Sequence, residues 1–324
     1  VGSRGLGDVY KRQLSSRVAV QIEISDTSLR NLNIFIPKEA VSGKANGDLT
    51  LDIEKGSPIL FDLKSDLVGV GIDVPALSWR KATTIPADFE ISGSFSKPIT
   101  INEFKLKSEG LSTWGDMAFD DMGLTNISLN DLTVGMWLSS DVVLERLDPG
   151  KPMQITLTGG ALDLRNLPIN KSTGATAPII ANLNTVQISK KLALTDVSAT
   201  FLGGEAVRGE FSGNVNNGTP LIGNVSGRGE SLRLDLSSDD AGGVLRDAGL
   251  LRQASGGYME LGITPAASGW NADMQISNVR IKDAPQIAQL LSAISVVGLP
   301  DQLDGKGIFF NTIESKFNIE NDTY

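Results

Sequence analysis

Residues 48–66 read DLTLDIEKGSPILFDLKSD. Leu49, Leu51 and Ile53 alternate with Thr50, Asp52 and Glu54, a period of two that puts the aliphatic side chains on one face of a strand and the polar ones on the other. Lys55-Gly56-Ser57-Pro58 carries turn chemistry, and the chain is expected to return as a second strand through Leu60 and Leu63. RVAVQIEIS (17–25) repeats the pattern, with Val18, Val20, Ile22 and Ile24 opposite Arg17, Gln21 and Glu23. So do MQITLTGGALDLRN (153–166), with Ile155 and Leu157, and SLRLDLSS (231–238), with Leu232, Leu234 and Leu236. Glycine and Asn/Asp/Ser clusters punctuate these runs. The chain is therefore expected to be mainly β, an antiparallel sheet with one apolar and one wet face.

Two segments depart from this period. Asp239 and Asp240 precede AGGVLRDAGLLRQASGG (241–257), where Val244, Leu245, Ala248 and Leu251 stand at helical spacing; Gly242 and Gly243 weaken that helix. In the other, Asp283 is placed to cap a helix with Pro285 in its first turn. Ile287, Leu290, Leu291 and Ile294 form its i, i+3, i+4, i+7 stripe, a packing face, and Gly298 and Pro300 close it. Two short helices are thus expected in the C-terminal third. The polar stretch INKSTGATAP (169–178) is the expected linker between strand-rich halves, 14–168 and 179–324.

The chain has 324 residues, no cysteine and no histidine, and a formal net charge of −9. That removes thiol nucleophiles, disulfides, imidazole bases and the usual zinc ligand sets. An acidic chain without a basic stripe is not expected to bind nucleic acid. No apolar run approaches the ~20 residues of a membrane-spanning helix. The opening, SRGLGDVYKRQ (3–13), has glycines at neither dinucleotide-loop nor P-loop spacing. It resembles one reading frame of a sequencing-library adapter, so residues 1–13 are expected to be a non-native scar, with the native N-terminus missing.

Catalytic candidates reduce to carboxylates. Asp120-Asp121 and Asp239-Asp240 would suit a glycosidase only if two carboxyls flanked one bond at ~5–10 Å. A turn before Met122-Gly123 and a helix N-cap explain them more simply. Ser212 and Ser255 lack a histidine partner. Trp79, Trp114, Trp137 and Trp270 are scattered, as packing residues are, and the Asn-rich turn 214–217 lacks calcium-loop spacing. What remains is the apolar stripe: either an ordinary dry core, as in a sandwich or solenoid scaffold or adhesin, or a trough left open to lipid tails.

The C-terminal third favours the trough. Its features are Asp240 to Arg246, the Gly256-Gly257 pair opening a strand, and Asp283-Ala284-Pro285 leading into Leu290-Leu291. Ser295-Val296-Val297-Gly298-Leu299 and Gly305-x-Gly307-Ile308-x-Phe310 follow. Together they resemble the C-terminal region of AsmA-like proteins, in particular the YhdP-type branch of Gram-negative bacteria. Residues 231–319 carry the resemblance; GGALDLRN (159–166) and FIPKEAVSGKANGDLTLDI (35–53) extend it more loosely, and Pro300 departs from the pattern. The resemblance implies an elongated, curled, taco-like β-sheet with a hydrophobic groove. The protein would be periplasmic, anchored in the inner membrane by an upstream segment, with phospholipids as its partners and outer-membrane integrity as its role. It implies no catalytic residue and no cofactor. The groove candidates are then Val18, Val20, Ile22, Ile24, Leu49, Leu51, Ile53, Ile155, Leu157, Leu232, Leu234 and Leu236.

Overall fold

The structure, a computed structural model, describes residues 15–31, 40–168, 177–282, 295–296 and 307–319. The chain is mainly β and divides into two compact units, 1–129 and 130–324. No helix among the described residues is long and apolar enough to cross a membrane.

The first unit contains β1 (Ser15–Ile24), α1 (Asp26–Asn31), β2 (Val41–Gly43), β3 (Ala45–Glu54), β4 (Leu60–Ser65) and β5 (Val70–Val74). It continues with β6 (Trp79–Lys81), β7 (Ala87–Ser94), β8 (Thr100–Ser108), β9 (Leu111–Asp120) and the start of β10 (Gly123–Val134). Its main sheet runs β1-β3-β4-β7-β8-β9, every pair antiparallel. The register aligns Val20, Leu49, Leu63, Ile91 and Phe104 across five strands in one apolar row. The hairpin expected over 48–66 is β3–β4, with one correction. The return strand turns Phe61 and Leu63 to the apolar face, whereas Leu60 lies on the other face, 51% exposed. Period-two geometry forbids Leu60 and Leu63 from sharing a side.

A small sheet of β2, β5 and β6 covers one end of that face, burying Ile24, Ala45, Leu67, Val70 and Ala87 together. Buried Lys81 ties it down: its Nζ donates to Leu67 O (2.7 Å) and Val70 O (2.8 Å). Burial pushes that ammonium below its ordinary pKa, against the pull of Asp66. The short helix α1, absent from the sequence-based expectation, follows β1 through reciprocal Ser25–Ser28 capping bonds and an Arg30–Asp26 ion pair of 2.9 Å.

The second unit contains β11 (Leu138–Glu145), β12 (Gln154–Asp163), β13 (Ile179–Gln187), β14 (Ala193–Leu202), β15 (Val207–Val215), β16 (Pro220–Gly227) and β17 (Arg233–Ser238). Then come α2 (Ala241–Asp247), β18 (Ala254–Ser255), β19 (Tyr258–Pro265), β20 (Trp270–Ile281), β21 (Ser295–Val296) and β22 (Ile308–Ile319). The sheet order is β11-β12-β13-β14-β15-β16-β17-β19-β20-β22. All pairs are antiparallel except β12–β13, which is parallel, so the sheet is mixed. The segment 169–178, expected to be a linker, therefore joins two paired strands of one unit. A parallel pair needs such a crossover.

Of the two expected helices, α2 is present but ends at Asp247, so Ala248 and Leu251 lie past it. Ile287, Leu290, Leu291 and Ile294 lie outside the described residues, as does the opening stretch 1–14. Ser295 and Val296, the last turn expected of the second helix beside them, instead pair with Glu314 and Ile313 as a short strand.

Candidate functional site: a half-open apolar face

On one face of the second unit, three apolar rows run across the strands, and the large side chains become more exposed from the first row to the third. The first contains Met259, Ile276 and Ile313, aligned on β19, β20 and β22 and 3%, 1% and 6% exposed. Helix α2 seals it. Ala241 and Val244 join the same cluster, as do Leu183, Leu194 and Leu221 from β13, β14 and β16.

Local chemistry locks α2 in place. Asp240 Oδ1 accepts from Gly243 N at 2.8 Å, and the first helical N–H groups, of Ala241 and Gly242, donate to Gly257 O and Gly256 O at 2.9 Å. At the far end Asp247 Oδ2 accepts from Thr219 N (2.7 Å) and Thr219 Oγ1 (2.6 Å), which holds its carboxyl below the usual range. A Cβ at Gly242 would lie 2.4 Å from the Ser255 backbone, and one at Gly243 would lie 2.2 Å from Thr219 Oγ1. The glycine pair that weakens the helix in isolation is what lets it seat this closely.

The second row aligns Leu157, Ala181, Ala199, Phe211, Gly223, Leu236, Leu261 and Met274. The third aligns Ile155, Ile179, Phe201, Gly209, Val225, Leu234, Ile263, Ala272 and Phe317. Here Ile155, Ile179, Phe201, Val225, Leu234 and Ile263 are only half-buried and Phe317 is 41% exposed, while the small Ala272 between Ile263 and Phe317 is buried at 3%. The glycines are not gaps. A Cβ on Gly223 would meet the Phe211 ring at 2.2 Å, and one on Gly209 would meet Phe201 Cδ1 at 2.3 Å. Each ring lies over its neighbour's bare backbone, the arrangement that rescues a glycine in a sheet. Phe61 and Gly93 repeat it in the first unit, at 3.0 Å from the Phe61 Cζ. Sequence reading missed these pairs; their signal is a glycine falling in the apolar phase of an alternating strand, as in Gly209-x-Phe211-x-Gly213.

The first unit shows the same gradient. Ile24 is buried beneath the small sheet and belongs to the closed end, not to any open groove. Ile22, Leu49 and Leu51 are half-buried, whereas Val18, Val20 and Ile53 are 38%, 41% and 37% exposed. In the second unit Ile155, Leu157, Leu232, Leu234 and Leu236 are all half-buried. The opposite faces are wet and carry exposed cross-strand ion pairs: Arg17–Asp52 (2.7 Å), Lys64–Glu90 (2.9 Å), Lys105–Asp88 (2.6 Å).

The catalytic candidates take structural positions. Asp120 Oδ1 accepts from Met122 N at 2.8 Å in a turn, and Asp240 is the α2 cap. Ser255 Oγ donates to Arg280 O, and Trp79 Nε1 donates to Glu109 O in a buried site. Asn216 and Asn217 sit at φ 48° and 64° in a turn, where Asn216 Nδ2 donates to Lys191 O and Asp247 O. Asp163 shapes the exit of β12: it accepts from the Arg165 guanidinium (2.8 and 2.6 Å), Arg165 N and Asn166 Nδ2, which together bring its pKa to about 2. No group of three acidic side chains suited to a metal ion occurs among the described residues. Comparison of the chain with protein-family models, curated proteins and solved structures finds no match.

Proposed function

We propose that this chain is a segment of a non-enzymatic lipid conduit, with phospholipid acyl chains lying on the half-open apolar rows while their headgroups stay in water. The observation that carries the reading is the burial gradient within one face. The same row geometry that gives Ile276 1% exposure under α2 leaves Phe317 41% exposed two aligned rows away. A face meant only as core has no reason to stay open across so many strands, and large apolar patches on soluble chains mark binding surfaces.

The energetics suit transport. Each buried CH₂ is worth about 0.8 kcal/mol, so a two-chain phospholipid crossing water faces a barrier on the order of 20 kcal/mol. Aliphatic side chains at every second strand position remove most of that barrier with non-directional contacts, and non-directional contacts permit sliding. The resemblance to AsmA-like proteins supports the same reading. By it the protein works in the Gram-negative periplasm, tethered upstream to the inner membrane, carrying lipid toward the outer one.

Mass spectrometry of lipids extracted from the chain purified under mild conditions tests the proposal. Co-purified phospholipid is expected, and Leu51→Asp and Leu234→Asp should deplete it by severalfold. A folded chain free of lipid, or lipid retained at the parental level in both variants, would leave the scaffold reading in its place.

A further inference from the structure

The opposite, wet face of the second unit holds an open depression of about 1190 Å³ formed by β16, β17, β19, β20 and β22. Its floor has a structural cause. The register aligns Asn224, Asp235, Gly262, Asp273 and Lys316 in one row, so the centre of the row contributes no side chain of its own and the Arg233 guanidinium leans across it. A Cβ on Gly262 would find Arg233 Nη2 at 3.2 Å and Asp235 Oδ1 at 3.5 Å, which places the guanidinium over the gap.

Charge and hydrogen bonding define what fits. Both cations are already engaged, Arg233 with Asp235 at 2.7 Å and Lys316 with Asp273 at 2.8 Å, and Glu260 adds a further carboxylate. An anion would meet more carboxylates than cations, and an apolar ligand would strand the polar lining. Around the paired charges, the side chains of Asn224, Asn271, Gln275 and Asn318 line the depression and are exposed to solvent. Each offers a donor and an acceptor together. Asn271 and Asn318 face each other on β20 and β22, Gln275 stands about 13 Å along β20 from Asn271, and Asn224 lies three strands away on β16, so the four amides span the depression. Tyr258, 40% exposed, contributes a ring at the edge.

We infer that this depression binds a neutral, polyhydroxylated ligand, a glycan chain lying across the strands over Gly262. Amides and pre-paired carboxylates answer vicinal hydroxyls without demanding a net charge. The inference does not rest on the lipid reading, since it concerns the other face.

Titration calorimetry of the chain with N-acetylglucosamine tetramer and with maltotetraose, and flotation with phosphatidylglycerol vesicles, tests it. At least one neutral oligosaccharide is expected to bind saturably at millimolar concentration, and the vesicles are not expected to bind through this face. Gly262→Phe fills the floor at a position without positive φ, and Asn271→Ala/Gln275→Ala removes exposed amides without touching the core. Each should weaken binding about tenfold or more, which is about 1.4 kcal/mol, with an unchanged unfolding midpoint. Absence of binding by both sugars, binding retained in both variants, or vesicle binding abolished by Gly262→Phe would overturn the inference.

Discussion

If the apolar face is open where its third row runs and closed where its first row runs, two aliphatic truncations on the same sheet must differ sharply in cost. Ile276 is 1% exposed beneath α2, touching a full shell of side chains. Its truncation to alanine loses the transfer energy of the removed carbons and leaves a cavity, about 3 kcal/mol in a core that relaxes only partly. Leu234 is half-buried, so about half of the ~2 kcal/mol worth of a buried leucine is at stake, and water can fill the space left behind: about 1 kcal/mol. Urea unfolding of Ile276→Ala and Leu234→Ala, read as midpoints at unchanged slope, measures both. Equal costs near 3 kcal/mol would mean that the third row is dry core and would refute the open-face reasoning. Leu234→Asp sharpens the test: it should fold, because the half-buried position lets the carboxylate reach water, whereas Ile276→Asp should not.

Further outcomes follow from the same geometry. Gly223→Val places atoms inside the Phe211 ring and should destabilise by about 1–3 kcal/mol; Phe211→Ala in the same chain should relieve much of that, seen as strong non-additivity in a double-mutant cycle. Asp247→Ala removes two hydrogen bonds to a carboxylate and should cost about 2 kcal/mol, with hydrogen exchange rising first in α2. Because the Asp247 pKa is depressed in the folded state, its contribution is complete above the ordinary carboxylate range and falls away as pH drops through the lowered value. Asp163, brought to about 2, behaves alike: stability present above the unfolded carboxylate pKa is lost on acidification toward about 2. Asp163→Asn should flatten that acid limb of the unfolding midpoint against pH.

The strands were legible because their signal is local. Alternation in 17–25, 48–54 and 231–238 specifies both the elements and their faces, and β1, β3 and β17 follow. What was not legible depends on partners distant in sequence. Leu60 and Phe61 compete for the inward phase, and only pairing of Phe61 with Leu51 on one side and Gly93 on the other decides it. The parallel pairing of β12 with β13 is invisible in either strand alone. Gly242 and Gly243 read as helix-weakening until Ser255 and Thr219 are brought against them. Ile24 shares its phase with Val18 and Val20, yet a three-stranded sheet built from later residues covers it alone. Periodicity tells which way a side chain points; it does not tell what, if anything, stands opposite.

Phenyl rings set against bare backbone have a consequence for any guest. A pleated strand is corrugated, with a notch at each residue, and a methylene chain could lock into such notches at favoured lengths. Phe201 against Gly209 and Phe211 against Gly223 fill two of those notches, where a side chain is missing. If the face carries lipid as proposed, a hydrocarbon resting there would feel no preferred stopping place, and mixed fatty-acid pools would pass alike whatever their tail length.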